Sequence, residues 1–135
     1  MSKDNLHVGF EALVGVTAAF LVSLPSTVLA LIILQAMDVV TGLMSGYINK
    51  ELSSKTSYAG LMRKALVLVA VGGSSYLGQA LQLPSPEVLP TTIAGFYAMH
   101  EALSILENLI RAGVPLPDPL KNALAKEHHD AESDR

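Results

Sequence analysis

Cysteine and tryptophan are both missing from this 135-residue chain, and charged side chains make up only 16% of it. Without cysteine there is neither a disulfide frame nor a thiolate-ligated metal, and the redox compartment is left open. No broad basic face for nucleic acid is present. The chain also lacks a G-x-S-x-G elbow, a glycine-rich phosphate loop followed by Lys-Ser/Thr, and an H-E-x-x-H zinc motif, so catalysis is not expected. His128 and His129 sit together in a polar tail and are not expected to hold a metal, and no cofactor is expected. Lys3 is offset by Asp4 and no small-residue cleavage site follows a short apolar core, which argues against a removed signal peptide.

What the chain has in quantity is apolar sequence. Half of its residues are hydrophobic, and the mean hydropathy is +0.42, above that of a typical soluble domain. Ala12 to Met37 and Ala65 to Pro86 contain no Asp, Glu, Lys or Arg. About 20 apolar residues suffice to cross a hydrocarbon core. The expected fold is therefore all-α, an integral membrane helical hairpin bundle with three to four transmembrane helices. Proline is tolerated in the first turn of a helix and breaks its interior. Pro25 thus separates a helix over about 6–22 from one over 26–48. A third helix is expected over 58–81, closed by Pro84, Pro86 and Pro90, and a fourth over 91–112. Residues 1–113 form the membrane domain. Residues 114–135 form a tail, with a short helix over 119–127 capped by Asp118.

Lys50, Lys55, Arg63 and Lys64 flank the second connection against a single acid, Glu51, whereas the turn from Leu83 to Leu89 holds only Glu87. Basic connections stay in the cytoplasm. The tail, with Lys121 and Lys126, then lies on the cytoplasmic side too. The first helix is near the lower length limit for spanning, so three and four crossings both remain open.

Two helices carry a polar side. On the fourth, His100, Glu101, Ser104, Glu107, Asn108 and Arg111 fall within an arc of about 120°. On the second, Gln35, Asp38, Thr41, Gly42, Ser45, Gly46 and Asn49 fall within about 140°. In lipid, helices associate through close backbone approach at small residues and through interhelical hydrogen bonds. Gly42 and Gly46 form a G-x-x-x-G step, and Ala70, Ser74 and Gly78, and Ala94, Ala98 and Ala102, repeat that spacing. The candidates for helix association or pore lining are Asp38, Thr41, Gly42, Gly46, Lys64, His100, Glu101, Ser104, Glu107, Asn108 and Arg111.

Asp38 has three readings. It marks the cytoplasmic boundary and reaches interfacial water, or it pins two spans by pairing with Arg63 or Lys64, or it carries protons. Glu101 and Glu107 lie deeper and call for protonation or a partner. Glu107 and Arg111 have the spacing of a helical ion pair. His100 is read as a satisfied interior polar group within reach of Ser104. Gly72-Gly73 is read as helix packing or a local kink.

Several short motifs occur in a fixed order. Asp38-Val39-Val40-Thr41-Gly42 gives D-x-x-T-G. Ser53 and Ser54 precede Gly60, Arg63 and Lys64 in a G-x-x-R-K context. Glu101, Ser104, Glu107 and Asn108 give E-x-x-S-x-x-E-N, and Gly113-Val114-Pro115-Leu116-Pro117 follows. Over about Ile33 to Leu124 this resembles the bacteriophage holins of the toxin-secretion and phage-lysis family. The resemblance implies a small protein of the bacterial host cytoplasmic membrane that self-associates and opens lesions for a cell-wall hydrolase, an endolysin. Its partners would be copies of itself and the lipid bilayer. A small transporter or channel accessory subunit, with the stripe passing ions or small solutes, is the rival reading. A soluble four-helix interaction domain is a third.

Overall fold

The structure, a computed structural model, describes residues 3–122. The end of the expected tail helix, Lys126, His128 and His129 lie outside the described residues. Four helices follow one another: α1 (Lys3–Ser23), α2 (Ser26–Ile48), α3 (Ser54–Ala80) and α4 (Val88–Arg111). Among the described residues there is no strand.

Pro25 is extended, with φ −53° and ψ 140°, and its carbonyl accepts the first hydrogen bond of α2 from Leu29 N at 3.0 Å. The break between α1 and α2 falls where the proline rule places it. Three helix starts come earlier than the sequence implies, the first being α1 at Lys3 rather than residue 6. α3 begins at Ser54 rather than residue 58, because the Ser53 carbonyl already accepts from Ser57 N at 3.0 Å. α4 begins at Val88 rather than residue 91. Pro90 then lies in its first turn, where a missing N–H breaks no helical bond. The tail helix begins at Asp118, with Pro117 supplying the first carbonyl, to Leu120 N at 3.0 Å, so Asp118 lies inside the first turn instead of preceding it.

α2, α3 and α4 all end in the same way. After each, one residue takes a left-handed conformation (Lys50, Gln82 and Gly113), and the next N–H reaches back to the helix: Glu51 N to Gly46 O, Leu83 N to Gly78 O, and Val114 N to Leu109 O, at 2.9 to 3.1 Å. This closure satisfies carbonyls that would otherwise be orphaned and reverses the chain within a few residues. The result is an up-and-down arrangement in which α2 and α4 run in parallel and α3 runs against both.

α4 lies at the centre. Its most extensive packing is with α2, less with α3, while α2 and α3 touch each other little. In the half of the bundle nearest Pro25, packing is apolar: Val28, Leu31, Val71 and Ala94 are buried together. In the other half the buried residues include Gln35, Ser45, Glu101 and Asn108. The outer surface has the opposite character, with Ile33, Val40, Met44, Leu66, Val69 and Met99 exposed. In α1, residues 7–19 are all exposed.

Among the described residues α2 alone is long and apolar enough to cross a membrane; α1 contributes a shorter apolar stretch, His7–Ala19. Arg63 and Lys64 in α3, and His100, Glu101 and Glu107 in α4, dilute the apolar character of those helices. The all-α expectation is met, while the composition of the helices supports one span rather than the three to four expected.

Candidate functional site

Lys64 connects three helices. Its ammonium lies 2.9 Å from Asp38 Oδ2 on α2 and also bonds Glu101 Oε2 on α4. The three side chains are 10 to 16% exposed, so the cluster is inside the bundle rather than at its rim. Of the readings of Asp38, the pairing with Lys64 describes its surroundings; Arg63, the other basic candidate, is exposed and makes no ion pair with it. Glu101 finds its partner in the same lysine. Breaking such a buried arrangement by removing one member costs about 3 to 5 kcal/mol.

Asn108 extends the cluster by two turns of α4. Its amide donates to Asp38 Oδ1 at 2.8 Å and to Thr41 Oγ1 at 3.3 Å. Thr41 in turn donates to the Asp38 carbonyl at 3.1 Å, and Gln35 Nε2 donates to the Lys64 carbonyl at 3.3 Å. Gly42 lies against Asn108, and a Cβ there would make an ordinary contact with Asn108 Nδ2 at 3.4 Å. Gly46, the other half of the G-x-x-x-G step, faces Leu52 of the connecting loop instead of another helix, with a Cβ position 3.1 Å from Leu52 Cδ2. The two glycines thus do different jobs. On α3, Ser74 and Gly78 are buried and Ala70 is exposed, so that small-residue row faces the bundle only in its second half. Gly78 meets the backbone of the α3–α4 turn, where a Cβ would come within 2.6 Å of Pro86 O.

The remaining members of the α4 stripe spread around the helix. Ser104 and Glu107 are half-buried. His100 is exposed, with its ring edge-on to Phe96 at 4.8 Å between centroids, so it is not the interior polar group expected. Arg111 is exposed at the helix end and pairs with Glu51 at 3.0 Å, while its carbonyl accepts from Asn49 Nδ2 at 2.8 Å. Gly72 and Gly73 are exposed with nothing within 4 Å of a Cβ at either, and α3 continues through them, so within one copy they pack against no other helix. Among the described residues no group of His, Asp and Glu could hold a metal ion.

The sequence pattern of the bacteriophage holin family matches residues 15–128. The chain belongs to that family. A protein of Bacillus phage phi105 named a probable holin is 31% identical over 104 residues, covering 77% of this chain and 73% of the phage protein. An uncharacterized 14.9 kDa protein from the nagH 3' region of Clostridium perfringens is 38% identical over 96 residues, 71% of this chain and 72% of that one. The uncharacterized protein YqxH of Bacillus subtilis is 28% identical over 135 residues, 100% of this chain and 94% of its own. No solved structure matches the chain.

In this holin-family chain two open crevices flank α3. One, of about 280 Å³, lies between α2 and α3, with Lys64 at its base and Gly42, Gly46 and Gly60 among its walls. The other, of about 440 Å³, lies between α3 and α4 and is lined by Arg63, Val67, Tyr97 and His100. Gln35 and Glu51 belong to the polar network although the sequence reading leaves them outside the candidate set. For Glu51 the signal is topological: α3 and α4 run out and back, which returns Arg111 to the level of the second connection.

Proposed function

We propose that this holin-family chain crosses the cytoplasmic membrane of its bacterial host several times, with its C-terminus inside. There it gathers into assemblies of itself, and these open lesions that let a cell-wall hydrolase reach its substrate. The observation that carries the reading is the depth of the polar cluster. Ten helical residues separate Asp38 from Ile48, Lys64 from Ser54, and Glu101 from Arg111, about 15 Å each at 1.5 Å per residue. That is half of a hydrocarbon core of about 30 Å. Charges at such depth are expensive unless they face protein or water. Here they face one another, inside a bundle whose exterior is apolar.

The same residues give the assembly a way to change. In a dispersed subunit the Asp38–Lys64–Glu101 contacts and the Asn108 bonds are made within one copy. At high density those groups can instead line a water-filled opening between copies, because water repays the desolvation that lipid does not. Self-association is then the activity, and no catalytic group is required.

Co-expression with a cytosolic muralytic enzyme tests this. Abrupt lysis, with release of a folded cytosolic protein, is the expected result. Leakage of ions and small solutes while every folded protein stays inside would replace the lesion reading with that of a small transporter or channel subunit.

A further inference from the structure

α1 makes little contact with the other three helices. Every residue from His7 to Ala19 is exposed, and nothing stands within 4 Å of a Cβ at Gly9 or Gly15. This free helix carries one acid in its apolar stretch, Glu11, which has no hydrogen bond or ion pair among the described residues. A cation in the same condition exists on α3. Arg63 is exposed and likewise without a polar partner among the described residues, α3 contains no acidic residue, and the acids lining the same crevice, Asp38 and Glu101, both bond Lys64. Arg63 borders the open crevice between α3 and α4.

With α1 and α3 both crossing the bilayer, the two charges would lie deep and at matching levels. Twelve residues separate Ser23 from Glu11, and twelve separate Ser26 from Asp38, about 18 Å in either direction from the Pro25 corner. Asp38 bonds Lys64, the neighbour of Arg63. With α1 upright in the bilayer, Glu11 therefore stands at the height of Arg63. An unpaired carboxylate and an unpaired guanidinium at that depth are each costly, and pairing relieves both at once.

We propose that α1 of one copy docks along α3 of the next, over the α3–α4 crevice, with Glu11 paired to Arg63. The two helices run in parallel, since both end on the outer side. In that register Gly15 falls beside Val67 and Ala18 beside Ala70. Gly15, Ala18 and Ala70 are exposed in the single copy and small enough to let backbones approach closely. His100, at the border of the same crevice, can also donate to the Glu11 carboxylate. The contact is head-to-tail: each copy offers a donor helix and an acceptor face, so it closes into a ring or continues as an open array. This rests on the self-association reading above and names its interface.

The absence of cysteine provides the test. One full-length copy carries Ala18→Cys and a second carries Ala70→Cys; the two are co-expressed, and membranes are oxidised and resolved without reductant. A disulfide-linked dimer is expected from the mixture and from neither copy alone. Glu11→Lys on the first copy should abolish the dimer, and adding Arg63→Glu on the second should restore it. Alkaline-carbonate resistance of each variant shows that it is inserted. No cross-link between inserted copies, or one indifferent to both charge reversals, overturns the interface. Cross-linking is read independently of lysis: an absent link with lysis intact removes this interface alone, while a present link without enzyme release removes the lesion reading alone.

Discussion

Lys64 Nζ stands 2.9 Å from Asp38 Oδ2, Asp38 ten positions before the last residue of α2 and Lys64 ten positions after the first of α3. That contact joins α2 to α3, which otherwise touch little. Because Glu101 bonds the same ammonium, one lysine holds both neighbouring helices.

Lys64→Met should be the most damaging single change in the cluster. It leaves Asp38 and Glu101 facing each other in a low dielectric without a cation, whereas Glu101→Gln or Asp38→Asn leaves one ion pair standing. A loss of about 3 to 5 kcal/mol is expected for Lys64→Met and less for either amide substitution. Thermal unfolding in detergent would rank the three. Equal midpoints would mean that the lysine does not bind the helices together.

Glycine substitutions should separate by contact. Gly78→Ala forces the α3–α4 turn to move, because the new methyl would stand 2.6 Å from the Pro86 carbonyl oxygen. Gly72→Ala and Gly73→Ala meet nothing and should raise stability by up to about 1 kcal/mol each through helix propensity. A Gly78→Ala protein as stable as the Gly72→Ala protein would contradict the close approach.

Much of this bundle was legible in the sequence. α2 has the boundaries expected, because Pro25 fixes its start and the Lys50 reversal fixes its end. The polar side of α2 does meet that of α4, with Asn108 against Asp38 and Thr41. Less legible were features that depend on which helix faces which. A helical wheel places Gly46 beside Gly42, yet only the three-dimensional path of the loop puts Leu52 over it. The wheel likewise groups His100 with Glu101, although a step of about 100° turns one outward to Phe96 and the other inward to Lys64. The helix starts at Ser54 and Val88 were missed because Ser53 caps a turn without a strong local signature, and Pro90 is harmless so early in a helix.

Ser45 offers a test in the stabilising direction. Its hydroxyl is buried and has no hydrogen-bond partner among the described residues, although it lies on the polar side of α2. Ser45→Ala removes an unsatisfied group at little cost in packing, so a gain of about 1 kcal/mol is expected in the same unfolding assay. A loss of that size would show that the hydroxyl serves a partner in the membrane.

The orientation can be read with an impermeant maleimide. Ser85→Cys, in the short turn, should label from outside intact cells. Ser53→Cys, in the basic connection, should label only after permeabilisation. The reverse pattern would invert the topology and place the Glu51–Arg111 pair outside.

The central claim is that the apolar exterior of this bundle lies in lipid and that the Asp38–Lys64–Glu101 cluster is kept inside. Fractionation of cells producing the full chain tests it most directly. The account predicts that the protein stays with the membranes through alkaline carbonate and leaves them only in detergent. Recovery as a monomer in detergent-free buffer would contradict it, since water would then be touching the faces assigned here to hydrocarbon.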